Sequence, residues 1–345
     1  MTLYVHALER EMSRRKNYIY CTRVHTIYIG GGTPSLLPAE ALKGIFDAIN
    51  HNFIIDKDAE VTIEANPDDV TPEWLGELAV TPVNRISMGA QTFNDKLLKF
   101  LGRRHNARQT IDAVEACKEA GITNISLDLI YGLPGQTMND WQSDVERALG
   151  LGIKHLSAYA LSVEPGTPLA SSPFTGELEG GCYEELSRKM YDHLMSATEQ
   201  AGFLHYEISN FALPGYHSRH NSSYWQGVPY LGLGAGAHSY DGHCSRRANL
   251  PDIKAYIDAT DDVPHETEVL TDENLYNEFV MTRLRTSGGI PLAELSAADR
   301  QYCLSLAEPY LRKHLLYIKD EHLCLTKDGI FTSNDIISEL MKVEK

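Results

Sequence analysis

A glycine-rich turn near the start of the chain has the residue types that hold a small polar ligand. The segment TIYIGGGTPSLLP, residues 26–38, places Gly31, Gly32 and Thr33 after a short β-rich run and before a helix with an apolar face. Glycines at the carboxyl end of a strand let the backbone come close to a ligand and adopt angles closed to other residues. A tight turn without a ligand is the alternative interpretation.

Asp128 stands inside an otherwise apolar run, ISLDLIYGLPG. A carboxylate in such a strand is costly to bury unless it is paired or bound to a ligand. The position therefore indicates either a ligand contact or a buried ion pair with Arg85, Arg103 or Arg104.

Similar polar positions occur in other β-rich runs, with Glu64 in TIEANPDD and Gln91 at the end of RISMGAQ. If the strands form a barrel, the loops at their carboxyl ends face the pocket. The following residues then offer hydrogen bonds to a ligand with an amine, a carboxylate and ribose hydroxyls, such as a nucleoside–amino acid conjugate: Gly31, Gly32, Thr33, Glu64, Gln91, Arg103 and Asp128.

The elements that position these residues alternate between strand and helix. The β-rich runs lie at residues 26–29, 60–65, 85–91, 124–131 and 155–162, and each precedes a helical stretch, at a spacing of roughly 30 residues. This rhythm predicts an α/β protein with a parallel sheet, in the form of a barrel or partial barrel. Thr71-Pro72 and Asn106 are expected helix starts, and Gly121 and Gly202 are expected helix ends.

The two ends of the chain depart from this rhythm. Val5, Leu8 and Met12 form one apolar stripe, so the chain begins on a helix and the first strand is expected upstream. Beyond residue 162, several prolines predict a linker or lid. From about residue 266 a small α/β unit resembles a winged helix, but residues 268–345 carry nine basic and thirteen acidic side chains, which argues against DNA binding.

Composition narrows the classes of partner. The 345 residues include 31 Lys or Arg and 47 Asp or Glu, and the net charge of -16 disfavours binding to nucleic acid or to an anionic membrane surface. The sequence has neither an apolar run long enough for a membrane span nor a signal peptide, so we expect a cytoplasmic protein. The cysteines are scattered and predict reduced thiols without a local metal site: Cys21, Cys117, Cys182, Cys244, Cys303 and Cys324.

A series of motifs resembles one known family. GGGTPS, TIEANPD, SMGAQTFND, LGRRH, DLIYGLPGQT, RHNSSYW and LGLGAGAHS occur in an order that is similar to the HemN/HemW group of radical SAM proteins. The resemblance covers essentially the whole chain. It implies a TIM-like partial (β/α)6 barrel at residues 1–205, a connecting segment at 206–265 and a mainly helical, winged-helix-like domain at 266–345. In this family the barrel holds S-adenosylmethionine (SAM) beside a 4Fe-4S cluster.

The resemblance also implies roles for the residues of the first motifs. Gly31, Gly32 and Thr33 would line the methionyl amine of SAM. The rest of SAM would be contacted by Glu64, Gln91, Arg103 and Asp128.

One family motif is absent from this sequence. The CxxxCxxC motif that binds the cluster precedes this region in the family, and Cys21 has no second cysteine near it in sequence. Three closely spaced thiolates hold such a cluster. We therefore expect the chain as given to be unable to cleave SAM reductively. Three explanations agree with this pattern. The start codon is wrongly assigned, the chain is truncated, or the protein is a homologue that has lost the motif.

The segment RHNSSYW separates two functions within the group. His220, Asn221, Tyr224 and Trp225 match the HNxxYW motif of the HemW-type haem chaperones, which implies haem binding. An imidazole can ligate iron, and Tyr and Trp offer flat faces to a porphyrin. The alternative is a surface turn in which the histidine only forms hydrogen bonds and the tryptophan packs into the core.

Two further histidines, His217 and His238, lie near this motif and near a glycine run. Among fourteen histidines such pairs occur by chance, and two ligands do not complete a zinc site, so no metal is assigned. The glycines at 232–236 are expected to let the backbone approach a flat ligand or another loop.

Three functions are compatible with the sequence. The first is a haem chaperone that binds SAM and haem and delivers haem to other proteins. The second is an oxygen-independent coproporphyrinogen III oxidase, which needs the missing cysteine motif. The third is a pseudoenzyme without a cluster that keeps only the fold. A homodimer is also possible, since an incomplete barrel leaves strand edges exposed.

Overall fold

The computed structural model describes residues 2–20, 23–163, 166 and 181–342, without the side chains of residues 181 and 182. Cys21 and most of the predicted linker, including Pro165, Pro168 and Pro173, lie outside the described residues. The chain forms two compact units. The barrel unit comprises Tyr28–Leu36 and Val61–Ser218, and the terminal unit comprises Met1–Ile27, Leu37–Glu60 and Arg219–Lys345.

The five predicted strands all form, as part of one seven-stranded sheet. They are β1 (Arg23–Ile29), β2 (Ile54–Ala65), β3 (Arg85–Gln91), β4 (Ile125–Tyr131) and β5 (His155–Ala160). Strands β2 to β5 pair in parallel with their neighbours, as the strand-helix rhythm predicted. Two short strands, β6 (Leu204–Glu207) and β7 (Asn210–Ala212), complete the order β1-β2-β3-β4-β5-β7-β6.

The hairpin of β6 and β7 pairs antiparallel with β5 and was not predicted. A buried hydrogen-bond chain fixes it to the parallel strands, because His155 bonds through Nδ1 to Ser126 Oγ at 2.7 Å and through Nε2 to Tyr206 Oη at 2.7 Å. Burial lowers the pKa of His155, so this histidine is neutral and serves as a structural hydrogen-bond link.

The helices that alternate with these strands begin and end close to the residues predicted from the sequence. Helices α1 (Thr2–Arg15) and α2 (Ala39–Asn52) belong to the terminal unit, and the barrel unit contains α3 (Pro72–Leu78), α4 (Asp95–Phe100), α5 (Ala107–Glu119), α6 (Met138–Gly150) and α7 (Gly181–Gln200). Thr71 and Asn106 accept hydrogen bonds from the first turns of α3 and α5, which confirms both predicted starts. Gly121 and Gly202 follow α5 and α7 with positive φ. Short 3-10 turns occupy Pro34–Leu36 and Pro67–Asp69.

The polar residues of the parallel strands share one face of the sheet. Successive side chains of a strand point to opposite faces of the sheet. The fully buried Ile86 and Met88 therefore lie on one face, and Ser87 lies on the other. The pairing register places Ser87 beside Glu64, and Gly89 beside Asp128. The apolar face buries the core, and the polar face carries Glu64 and Asp128.

The remainder of the terminal unit contains two small sheets. Residues after the barrel unit form α8 (Arg219–Trp225), β8 (His238–Tyr240), β9 (Ser245–Asn249), α9 (Ile253–Asp258) and β10 (His265–Val269), with the antiparallel order β10-β9-β8. The C-terminal part is mainly helical, with α10 (Asp272–Leu284), β11 (Ile290–Pro291), a 3-10 turn at Leu292–Glu294, α11 (Ala297–Arg312), β12 (Leu316–Lys319), β13 (His322–Leu325), α12 (Lys327–Phe331) and α13 (Ser333–Leu340).

In that part, strands β11, β13 and β12 form an antiparallel sheet, and the helices bury Val280, Leu284, Cys303 and Ile336. This helical region with a small sheet agrees with the predicted C-terminal architecture. Throughout the described ranges, no helix combines the length and the apolar character that a membrane crossing requires.

Candidate functional site

The glycine turn is tied to the end of β2 through Glu64. The backbone N–H of Gly31 donates to Glu64 Oε2 at 3.0 Å, and Tyr28 Oη donates to Glu64 Oε1 at 2.7 Å. A Cβ on Gly30 would lie 2.5 Å from the Tyr28 ring and 2.9 Å from Glu64 Oε1, so only glycine fits there. Tyr28 is a site residue that the sequence analysis missed, although its place in the alternation of β1 puts it on the same face as Gly30.

Gly31 and Gly32 project into open space. Their φ angles are 82° and 65°, in the left-handed region that favours glycine. Both residues are exposed, and a Cβ added to either would meet nothing within 4 Å. Thr33 follows, half-buried, and its carbonyl accepts from the N–H of Leu36 at 3.1 Å. The backbone atoms of the turn are therefore accessible to a ligand.

Gln91 and Arg103 meet at Gly89. A register shift between β3 and β4 occurs at this point, and Gln91 has a φ of 64°, which turns the chain sharply at the end of the strand. Arg103 Nη2 donates to the carbonyl of Gly89 at 3.2 Å and to Asn66 Oδ1 at 2.5 Å. Burial lowers the pKa of Arg103. Asn66 is a second residue that the sequence analysis missed, although it lies in the same motif as Glu64.

Asp128 is held by serines and not by an arginine. Ser87 Oγ donates to Asp128 Oδ2 at 3.5 Å, and the side chain of Ser157 also bonds to the carboxylate. Burial raises the pKa of Asp128 to about 6, against the opposing effects of the Ser157 bond and the charge of Arg85. Across the described residues, Asp128 forms no ion pair with Arg85, Arg103 or Arg104.

The seven residues of the first predicted set all lie in the barrel unit. Contacts join them in pairs: Gly31 with Glu64, and Gln91 with Arg103 around Gly89. The donor set suits SAM chemically, because carboxylates can accept from an amine and from ribose hydroxyls, and a guanidinium can bind a carboxylate. The open space over the two glycines gives such a ligand room.

The described residues do not fit a 4Fe-4S cluster. They contain no group of three or more His, Cys, Asp or Glu side chains that could hold a metal ion. Cys117, Cys303 and Cys324 are buried and Cys244 is exposed, each as a free thiol. Burial raises the pKa of Cys117 to about 12, so this thiol is protonated and is not a thiolate ligand.

The second predicted set lies on α8 in the terminal unit. The backbone N–H groups of Arg219 and His220 donate to Glu60 Oε2 at 3.0 Å and to Glu60 Oε1 at 2.9 Å. A carboxylate at a helix N-terminus satisfies donors that have no partner within the helix. The motif HNxxYW is therefore presented on a short helix and not on an irregular turn.

The imidazole of His220 is oriented from both sides. Its Nδ1 lies 3.0 Å from Thr26 Oγ1 and its Nε2 lies 2.9 Å from Tyr224 Oη. Burial raises the pKa of Tyr224 to about 12, so its phenol is protonated and can donate to the ring nitrogen. For iron to bind at Nε2, Tyr224 must give up this contact.

Aromatic rings extend from His220 along the surface. The Tyr224 ring, whose residue is 38% exposed, meets the Tyr230 ring edge-on with centroids 4.7 Å apart. Trp225 is half-buried, and its buried indole N–H has no hydrogen-bond partner within the part of the chain that the structure describes. The guanidinium of Arg285 lies 5.3 Å from the ring centroid. Asn221 lies between these residues and His220, also half-buried. The helix thus offers an imidazole next to flat, partly exposed rings.

The two additional histidines have contacts of their own. His217 stacks on Tyr206 with centroids 4.3 Å apart, and burial lowers its pKa. A Cβ on Gly232 would lie 1.9 Å from the carbonyl oxygen of His238, and one on Gly234 would lie 2.7 Å from Tyr4 Oη. The glycine run therefore allows close approach to the protein's own strand β8 and helix α1.

Comparisons with known proteins agree with these observations. Residues 7–148 match the family model of the radical SAM superfamily, and residues 270–332 match that of the HemN C-terminal domain. A protein of Lactococcus lactis named heme chaperone HemW is 37% identical over 328 residues, covering 92% of this chain and 85% of the relative. The heme chaperone HemW of Bacillus subtilis is 36% identical over 346 residues, covering 98% and 91%.

A solved structure matches the fold over nearly the whole chain. The coproporphyrinogen III oxidase HemN of Escherichia coli, described as a radical SAM enzyme, aligns with a TM-score of 0.82 and 22% identity. The alignment covers 98% of this chain and 82% of HemN. At this identity the likeness establishes the fold alone.

Proposed function

Because this chain belongs to the HemW family of the radical SAM superfamily, we propose that it is a haem chaperone, which binds haem at α8 and passes it to haem-requiring proteins. The observation that carries the proposal is the geometry of His220, an oriented imidazole beside partly exposed aromatic rings. A protein that carries and releases haem needs a site that binds the iron without enclosing the haem. A short surface helix such as α8 meets this requirement.

The two contacts of His220 are compatible with a tautomer that can ligate iron. If Nδ1–H donates to Thr26 Oγ1, then Nε2 has its lone pair directed at Tyr224 Oη, which donates to it. In that tautomer, iron that displaces the Tyr224 hydroxyl would meet the lone pair of Nε2. Thr26 then accepts a hydrogen bond from the ring nitrogen that does not bind iron and fixes the orientation of the imidazole, as carbonyl or carboxylate groups do for other metal-bound histidines.

We further propose that the barrel unit binds SAM at the predicted residues. Glu64 holds the glycine turn in place, Arg103 and Gln91 flank the end of β3, and Asp128 faces them from β4. SAM supplies radical chemistry when it is bound to a reduced cluster. The described side chains do not offer the ligands of such a cluster.

The first test is an anaerobic haem titration of the protein, followed by visible absorbance. We expect saturable binding with a shifted Soret band. Loss of a residue that hydrogen-bonds a metal ligand typically weakens metal binding about 10- to 100-fold. His220→Ala removes the ligand itself, so it should weaken haem binding by at least this factor.

His6→Ala is the matched control, because His6 is exposed on α1 and belongs to the same unit. It should bind haem like the wild type. Equal binding by wild type and His220→Ala would contradict the assignment of the ligand, and no saturable binding by the wild type would contradict the function. Transfer from the loaded protein to apomyoglobin then measures delivery.

A further inference from the structure

The end of β3 contains a strained turn centred on Gln91. Its φ of 64° lies in the left-handed region, which residues other than glycine rarely adopt. The N–H of Thr92 donates to the carbonyl of Ala90 at 2.8 Å, across Gln91. Such a three-residue turn with a positive φ at its centre is the rare and strained form of the γ-turn. Strain of this kind persists only where the surrounding structure holds it.

The turn places the side chain of Gln91 over its own strand. A Cβ on Gly89 would lie 2.7 Å from Gln91 Nε2 and 3.2 Å from Arg103 Nη2. The two side chains therefore lie side by side above Gly89, where the proposed SAM site needs hydrogen-bonding groups. Because the turn reverses the chain at Gln91, its geometry decides where this amide lies.

A buried carboxylate on α6 holds the two residues that follow the turn. Asp144 is 1% exposed, and its Oδ1 accepts from the N–H of Phe93 at 2.7 Å. Its Oδ2 accepts from Thr92 Oγ1, also at 2.7 Å. Thr92 and Phe93 are themselves buried, so removal of the carboxylate would leave two buried donors without this acceptor.

The same carboxylate contacts the loop after β4. Gln136 Nε2 donates to Asp144 Oδ2 at 3.4 Å, and Gln136 Oε1 accepts from the N–H of Leu133 at 3.2 Å. Asp144 thus joins the loops at the carboxyl ends of β3 and β4, the two strands that carry Gln91 and Asp128. All of these residues belong to the barrel unit.

We propose that Asp144 is a positioning residue of the SAM site, which holds the strained turn and so keeps the amide of Gln91 beside Arg103. In this role Asp144 acts through Gln91. An amide that is already held in place binds a ligand without the entropic cost of ordering a loose side chain. This inference rests on the proposed binding of SAM by the barrel unit.

The test is a double-mutant cycle in SAM affinity, measured by equilibrium dialysis at pH 7.5. Burial raises the pKa of Asp144 to about 6, so its carboxylate is mostly ionised at this pH. Gln91→Ala should weaken SAM binding by about 2- to 10-fold, the range of one neutral hydrogen bond. Asp144→Ala should weaken it by a similar factor in the wild type and have no further effect in Gln91→Ala, because both changes remove the same contact.

Two further variants change the hydrogen bonds of Asp144 more gently. Asp144→Asn should bind SAM like the wild type, because its amide can accept from Phe93 and donate to the hydroxyl of Thr92. Thr92→Val keeps the carboxylate and removes one of its donors. It should weaken SAM binding in the wild type but not in Gln91→Ala, which tests the inference even if Asp144→Ala does not fold by circular dichroism.

Glu146→Ala is the matched control, because Glu146 is an exposed carboxylate on the same helix. It should bind SAM like the wild type. If the losses of Asp144→Ala and Gln91→Ala multiply in the double variant, Asp144 supports the fold independently of Gln91, which overturns the inference.

The remaining outcomes separate this inference from the proposed function. If the wild type binds SAM and either Asp144→Ala or Gln91→Ala binds it equally well, the positioning role is wrong and the SAM site stands. If the wild type shows no saturable SAM binding, the proposed SAM site fails and this inference fails with it.

Discussion

The carboxylate of Asp128 and the buried guanidinium of Arg85 both belong to the polar face of the barrel sheet, and no ion pair joins them among the described residues. Arg85 is 2% exposed, and its Nε has no hydrogen-bond partner among the described residues. Its charge nevertheless acts on Asp128 and lowers the pKa of that carboxyl, although burial has the larger, opposite effect. The two side chains therefore interact through their charges and not through an ion pair in direct contact.

The pKa of about 6 predicts a pH dependence of SAM binding. Asp128 accepts hydrogen bonds from a ligand in its ionised form, so affinity should be full above pH 7 and fall as the pH decreases through 6. Arg85→Gln removes the charge that lowers this pKa, so the midpoint should move to higher pH. Equilibrium dialysis of labelled SAM between pH 5 and 8 measures both curves.

Asp128→Asn is the reference, because an amide does not titrate and any remaining pH dependence comes from SAM itself. Its affinity should be lower and its curve should lack the midpoint near 6. A wild-type curve parallel to that of Asp128→Asn would rule out Asp128 as the titrating group.

At the scale of elements, α8 depends on a side chain from another part of the chain. It has seven residues, and isolated helices of this length are not stable in water. Glu60, on β2, accepts from the first two N–H groups of the helix. This carboxylate therefore holds the N-terminal end of α8, on which His220 is the second residue.

Glu60→Ala should weaken haem binding. The loss of an N-terminal acceptor costs roughly 0.5–2 kcal/mol of helix stability, which corresponds to about 2- to 30-fold in haem affinity if the helix must be formed to bind. Asp58→Ala is the matched control, because Asp58 lies on the same strand, its side chain is 82% exposed and its carboxylate lies 3.5 Å from Arg219 Nη1. The 2.6 Å hydrogen bond from Arg219 Nη1 to the backbone carbonyl of Asp58 does not involve the side chain that is changed. Equal haem affinities of the two variants, measured by titration, would contradict the role of Glu60.

At the scale of the molecule, one carboxylate connects distant segments of the terminal unit. Glu11 on α1 is 3% exposed and accepts hydrogen bonds from Gly234, Asn249, Tyr256 and Arg15, at distances of 2.7–2.9 Å. Three of these partners lie more than 220 residues away in sequence. Glu11 forms a buried ion pair with Arg15, and both oxygens of its carboxylate accept hydrogen bonds.

Glu11→Ala should lower the free energy of unfolding by about 3–5 kcal/mol, because it leaves Arg15 buried without its partner. Urea denaturation followed by circular dichroism measures this loss. Glu308→Ala, at an exposed pair on α11, should change stability by no more than about 0.5 kcal/mol. A loss below 1 kcal/mol for Glu11→Ala would show that the network is not a main support of this unit.

The sequence by itself determined the parts of the fold that depend on local patterns. The strand-helix rhythm predicted β1 to β5, and capping residues such as Thr71 and Asn106 predicted helix starts, because these signals involve neighbours a few residues apart. The motif series identified the family, and the HNxxYW residues were all present in one segment. The rule that parallel strands direct ligand groups to their carboxyl ends predicted the first set of site residues, whose binding role stays a prediction.

Only the tertiary structure decided which partners these residues have. Asp128 could have paired with an arginine, but the strand register places it beside Gly89 and Ser157. Glu60 reaches α8 across about 160 residues of sequence, and Arg283 meets the end of that helix across 57. No local pattern encodes such contacts, because they arise when strands and helices that are remote in sequence pack together. The sequence therefore determined the elements and the candidate chemistry, whereas packing decided how each functional side chain is held.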